Sequence, residues 1–342
     1  MRIVDVRSDT LTKPTGAMRA AMAAAEVGDD VFGEDPTVQR LEARAAELAG
    51  MEAALFVPSG TMANLIACKV HTRPGDEVIV ERTSHLYRYE AGGYAMYAGV
   101  SVALLDGVRG LLAPEHVHAA IRLHDVHQPP SRLLWLEHTH NAGGGSCYPL
   151  DHLAAVVEAG RGHGLAVHLD GARVWNACVA QGLPLTAIAA HVDSLNFCFS
   201  KGLGCPVGSV LIGSRSFVDG ARRARKMLGG GMRQAGVLAA AALHALDHHV
   251  ARLADDHANA ALLADGLDGL AGLRIRRPVE TNIVLVDTAG SRLGPMDVVG
   301  TLIGEGIRCL PLSATTVRFV THLDVSRDDV EHAVRVARRV FT

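Results

Sequence analysis

From residue 36 to about residue 213, short apolar runs alternate with stretches of helical spacing, and this alternation limits the fold more than any other property of the chain. Candidate strands are 53–57, 77–80, 100–104, 133–137, 166–169, 194–199 and 207–212. Helical segments lie between most of them, for example 114–123, 149–163 and one opening at Gly60. An earlier helix, 36–48, stops at Gly50, as a C-terminal cap should. Strands separated by helices imply βαβ units and a mostly parallel sheet, here of seven strands, with helices on both faces. Ligands of such sheets sit at the carboxyl ends of the strands.

The texture changes after Gly229-Gly230-Gly231. One long helical stretch, roughly 234–269, leads into a smaller α/β unit with strands near 274–276, 282–286, 307–310 and 316–320 and helices near 295–304 and 326–340. A chain of 342 residues is long enough for two domains. We expect a large domain over 1–240, with its segment 1–15 packing near the active site, and a small C-terminal domain over 241–342 covering one side of that site.

Apolar content of 49% and charged content of 20% are those of a globular protein. Lys+Arg of 33 against Asp+Glu of 36, with no long basic block, argues against nucleic acid or an anionic membrane as partner. Six cysteines without a C-x-x-C pair read as reduced thiols. The 18 histidines show no convincing zinc spacing, so no metal is expected. Residues 1–7 carry charges where a signal peptide needs an apolar run, and the Ala-rich stretch 235–247 is too short to span a bilayer. The expected location is cytoplasmic.

Chemistry concentrates at strand ends. Asp170, in His168-Leu169-Asp170-Gly171-Ala172-Arg173, precedes Lys201, in Ser200-Lys201-Gly202-Leu203-Gly204, by 31 residues. An Asp after one strand and a Lys after the next is the arrangement that pyridoxal 5′-phosphate (PLP) requires. The lysine forms a Schiff base with the cofactor aldehyde, and the aspartate meets the protonated pyridine nitrogen. Pro58-Ser59-Gly60-Thr61-Met62-Ala63-Asn64 follows a strand and opens a helix, so its amides and the Thr61 hydroxyl offer a phosphate site. His85 follows the strand ending at Val80; it could stack on the pyridine ring or be a loop histidine bonded to backbone. His127, in a Gln-Pro-Pro loop, reads on its own as a surface residue. Arg173 and Arg318 could both reach one cleft and hold a substrate carboxylate through paired hydrogen bonds. Lys226 and Arg233 flank the triple glycine; for Lys226 a phosphate contact and a solvated helix face stay equally open.

With these residues in order, the chain resembles the L-threonine aldolase family, PLP enzymes of the aspartate-aminotransferase fold (fold type I). The resemblance spans nearly the whole chain and rests on Arg7-Ser8-Asp9-Thr10, Val27-Gly28-Asp29-Asp30-Val31, His168–Arg173, Ser200–Gly204, Gly229–Gln234 and Val320-Thr321-His322-Leu323-Asp324. It implies cleavage of L-threonine or L-allo-threonine to glycine and acetaldehyde by a PLP-dependent carbon–carbon lyase. By the same resemblance Lys201 holds PLP, Asp170 meets the pyridine nitrogen, and Arg173 contacts the ring's phenolic oxygen and the substrate carboxylate. Ser59, Gly60 and Thr61 hold the phosphate, with Lys226 and Arg233 contributing at or across an interface. Ser8, Arg173 and Arg318 bind the carboxylate, Tyr87 joins the substrate site, His85 stacks on the ring, and His127 lies near the β-hydroxyl. His85 and His127 are the candidate bases. A homotetramer, a dimer of dimers with sites at the dimer interface, is implied.

The chain departs from the family pattern in two places. The usual Glu-Asn-Thr-His-Asn is Glu137-His138-Thr139-His140-Asn141 here, and the loop 142–147 is unusually rich in glycine. These departures leave room for a biosynthetic aldol or transaldol enzyme that couples glycine to another aldehyde, and less room for a β-eliminating lyase or a PLP-fold binding protein.

Overall fold

The computed structural model describes residues 2–122 and 125–341. Near the start, β1 (Val4–Asp5) is followed by seven strands of one sheet: β2 (Ala53–Val57), β3 (Glu77–Glu81), β4 (Ser101–Leu105), β5 (Ser131–Glu137), β6 (Ala166–Asp170), β7 (Ser194–Cys198) and β8 (Ser209–Gly213). Their spatial order is β2-β8-β7-β6-β5-β3-β4. All pairings are parallel except those of β8, which runs antiparallel to both β2 and β7. β3, β7 and β8 are buried along their whole length, as strands covered on both faces must be. One apolar cluster fills the side holding Leu134, Val156, Leu169 and Phe197, and another the side holding Leu55, Ile66, Val80 and Trp135.

Local signals explain the helix ends. Asp35 caps the helix Pro36–Ala49 by accepting from the amides of Thr37 and Val38, and Gly50 closes it at φ 64°. The expected helix 114–123 is Pro114–Ala120; its last expected residue, Leu123, lies outside the described residues.

The smaller unit holds β9 (Arg274–Ile275), β10 (Ile283–Asp287), β11 (Ile307–Arg308), β12 (Leu310–Ser313) and β13 (Thr316–Val320). Four of these form an antiparallel sheet in the order β12-β13-β10-β9. β11 pairs instead with β1, in parallel, so the N-terminal segment is tied to the small unit.

The single helical stretch expected over 234–269 is two helices, Gly236–His248 and Leu253–Leu267. Between them His249 Nδ1 bonds the Leu203 carbonyl at 2.8 Å, which pins the chain where it turns. The first helix buries Ala239, Ala242 and Ala245 in the large core, and the second buries Leu263 and Leu267 in the small one. A boundary at residue 240 therefore falls inside a helix that belongs to the large unit. Among the described residues no helix is long and apolar enough to cross a membrane.

Candidate active site

A cleft opens at the carboxyl ends of the parallel strands, where an α/β sheet of this order places its ligands. Three strand exits build it. After β2, Ser59 caps the helix Gly60–His71, its Oγ accepting from the Met62 amide at 3.2 Å. The first-turn amides of Gly60 and Thr61 have no intrahelical acceptor and sit at the positive end of the helix dipole. Gly60 is fixed as glycine by the floor of the cleft: a Cβ there would stand 2.7 Å from Cys198 Sγ.

β6 ends on Asp170, which is 1% exposed. Its Oδ1 accepts from the Ala172 amide at 3.0 Å and its Oδ2 from Asn64 Nδ2 at 2.7 Å. Past the end of β7 lies Lys201, whose carbonyl accepts from the Thr12 hydroxyl at 2.9 Å. Ser59, Gly60, Thr61, His85, Asp170, Arg173 and Lys201 all line this one cleft.

Arg173 is held by the N-terminal segment. Its Nε and Nη2 each donate to Asp9 at 2.7 Å, and Nη1 donates to Asn141 Oδ1 at 3.4 Å. Burial alone would raise the Asp9 pKa, but the charge and hydrogen bonds of Arg173, with Lys201 nearby, hold it well below the usual carboxylate range. Asn141 Oδ1 also accepts from Arg318 Nη1 at 3.1 Å, so one amide oxygen sits against two guanidinium groups. Burial and the positive charge of Arg173 lower the Arg318 pKa.

His85 stands at the opposite wall. Its amide donates to Glu137 Oε2 at 2.6 Å, and Glu137 Oε1 takes the Asn141 amide at 2.8 Å. Its Nδ1 meets Glu90 Oε1 at 2.8 Å. Burial pulls its pKa down, but Glu90 and Asp170 outweigh that and leave it above the ordinary value. His85, Glu90 and Asp170 present ligand-type atoms within 4.8 Å of one another, yet both carboxylates already accept from Asn64.

Other expected residues lie elsewhere on this chain. Ser8 caps the turn Asp9–Leu11, beside the Asp9–Arg173 pair. The Tyr87 ring lies against Tyr94, 6.1 Å away between centroids. Lys226 is exposed beside Val31 and Gly231, and Arg233 pairs with Asp29 at 2.8 Å. His127 stands far from the cleft of its own chain. It precedes β5, at the amino end of the sheet, a strand's length from Asp170, and its side chain is 85% exposed and bonded to Asp125. The chain's own fold does not bring it to the cleft. Asp9, Asn64, Glu90 and Asn141 are the site groups that sequence reasoning left without a role; the first, second and fourth stand inside strings already singled out, whereas Glu90 carries no local signal.

A family model described as beta-eliminating lyase matches residues 5–291. Among curated relatives, low-specificity L-threonine aldolase 1 of Arabidopsis thaliana is 45% identical over 340 residues, covering 98% of this chain and 95% of that protein. Among solved structures, threonine aldolase of Leishmania major superposes with a TM-score of 0.85 at 23% identity, covering 99% of each chain. An aspartate aminotransferase of Thermus thermophilus superposes at 0.75 with 18% identity, covering 99% of this chain and 91% of that one, so the fold is that of the fold type I enzymes. In fold, in sequence along almost its entire length and in the strings at its strand ends, the chain belongs to the low-specificity L-threonine aldolase family.

Proposed function

We propose that this protein is a PLP-dependent aldehyde-lyase that cleaves L-threonine, L-allo-threonine or both, reversibly, to glycine and acetaldehyde. The observation that carries the reading is the convergence of Lys201, Asp170 and the first turn of Gly60–His71 on one cleft, with Arg173 and His85 at its sides. The relative at 45% identity, described as a low-specificity L-threonine aldolase, supports the substrate class.

The residues present fit PLP. The unpaired amides of Gly60 and Thr61 and the Thr61 hydroxyl suit a phosphate dianion. The buried Asp170 carboxylate suits a protonated pyridine nitrogen, and Lys201 supplies the amine for the aldehyde. When bound, PLP provides the sink for the electron pair released as the Cα–Cβ bond breaks. The chain's own groups bind and orient. Arg173 and Arg318, with Ser8 close by, hold the substrate carboxylate and so fix rotation about Cα. His85, in the cleft, takes the β-hydroxyl proton.

Lys226, Arg233, Tyr87 and His127 act, in this reading, from a neighbouring copy in a homotetramer built as a dimer of dimers. The exposed Phe32, Met96 and Met227 support such an assembly. Six free, buried cysteines support a reducing, cytoplasmic setting.

The test is incubation of the PLP-loaded protein with L-threonine and with L-allo-threonine separately, coupling acetaldehyde release to NADH oxidation. Acetaldehyde from either establishes the aldolase, and the rate ratio gives the β-carbon preference. No acetaldehyde from either refutes it.

A further inference from the structure

Glu90 lies outside every motif of the sequence, yet its side chain is fully buried one shell behind the cleft. Its Oε1 accepts twice, from Asn64 Nδ2 at 2.7 Å and from the His85 Nδ1 contact at 2.8 Å. The second hydrogen of the Asn64 amide goes to Asp170 Oδ2 at 2.7 Å. This fixes the orientation of the amide, because only its NH2 end can face two carboxylate oxygens. One neutral amide thus separates two carboxylates and hydrogen-bonds both.

Glu90 Oε2 is buried with no partner in the chain. An ionised Glu90 has only acceptors on Oε1, so His85 Nδ1 donates and the ring lone pair is left on Nε2; a Glu90 proton on Oε1 would instead be donated to Nδ1 and place the ring proton on Nε2.

We propose, resting on the aldolase reading above, that Glu90 is a positioning residue which, held by Asn64, fixes the His85 proton on Nδ1 and presents Nε2 as the acceptor of the β-hydroxyl proton. The proton leaves the substrate oxygen for Nε2 as the carbonyl of the departing aldehyde forms, and the imidazolium so made is held against Glu90. The same logic orients the histidine of hydrolase triads. The two carboxylates have distinct tasks: Asp170 serves the cofactor and Glu90 the base, and Asn64 keeps them apart. Burial first, with the charge of Asp170, pushes the Glu90 pKa up against the lowering pull of the His85 and Asn64 hydrogen bonds.

Other titratable groups facing His85 are Asp170 and Lys201, with Glu137 on its backbone amide and the Tyr89 ring 5.5 Å away. The experiment uses holoenzyme labelled with 15N-histidine, with His85 signals assigned by their loss in H85N. Long-range 1H–15N spectra should show Nδ1 protonated in the wild type and a mixture of tautomers in E90Q. In E90Q, kcat should fall about 10- to 100-fold, the scale for losing an orienting partner, with KM changed less than about threefold. The acid limb of the kcat profile should move to lower pH, because His85 loses the acceptor that raises its pKa. E90D, which keeps the charge, should recover part of kcat. E90Q with the wild-type tautomer and an unmoved acid limb overturns the proposal. If the wild type releases no aldehyde, the aldolase reading fails, while the tautomer spectra still decide whether Glu90 sets the His85 proton.

Discussion

Asp9 and Arg173, 164 residues apart in sequence, meet through two hydrogen bonds of 2.7 Å with both side chains buried. Neither group can rotate away without leaving a charge unpaired inside the protein. The guanidinium, which lines the cleft, is therefore aimed by a residue far away in sequence.

Removing that carboxylate should be costly. D9N leaves Arg173 buried without its counter-charge, and loss of one member of a buried pair costs about 3–5 kcal/mol. Because the folded Asp9 pKa lies below its unfolded value of about 3.9, its stabilisation is present above that pH and is lost as pH falls through the folded pKa. Urea unfolding should thus show a wild-type-minus-D9N difference that holds from pH 7 to about pH 4 and shrinks below. A constant difference down to pH 2.5 contradicts the pairing.

Arg318 should act on substrate rather than on the cofactor. R318K keeps the charge but loses the fork that spans Asn141 Oδ1 and the Arg7 carbonyl. We expect KM for the amino acid to rise about tenfold or more, with PLP affinity unchanged. Steady-state kinetics beside a cofactor titration separates the two; a loss of PLP affinity counts against the assignment.

Lys201 is the only lysine lining the cleft among the described residues. K201A should lose the visible absorbance band of the lysine-bound cofactor, and cleavage should fall by several orders of magnitude. An undiminished band after dialysis places the cofactor on another amine.

The buried and half-buried histidines should make the protein acid-sensitive. Burial pulls His71, His138, His168 and His257 down to about 4, 4, 3 and 4. The unfolded chain, with ordinary values near 6.5, takes up these protons first as pH falls. Their stabilisation is thus complete above about pH 6.5 and is lost toward pH 4 and below. Thermal scans should show Tm falling across that window. H138N should give a shallower slope, since Asn Oδ1 can accept from the Tyr148 amide as His138 Nδ1 does at 3.2 Å; an unchanged slope excludes His138 as a contributor.

Asp170, Lys201 and the Ser59–Thr61 turn were legible because each stands where an apolar run gives way to a helix or turn, a local pattern that a single sequence displays. Asp9, Asn64 and Glu90 were not. Their meaning lies in partners 164, 106 and 26 residues away, and no spacing rule records such a pairing. The helix break at 249–252 was hidden for a related reason. It depends on the Leu203 carbonyl, which only the folded chain brings near. For His127 the strand directions decide: strands were readable, but which end of the sheet a loop occupies follows from topology.

The pairing of β1 with β11 also has a consequence for the order in which the protein is completed. Val4 leaves the ribosome 303 residues before Ile307, its partner in the sheet, an interval of roughly 15–60 s at about 5–20 residues per second. Until then β1, which leads into the segment bearing Asp9 and Thr12, has no strand to pair with. The N-terminal wall of the cleft thus waits for β11 to be anchored, although Asp9 is synthesised about 300 residues earlier.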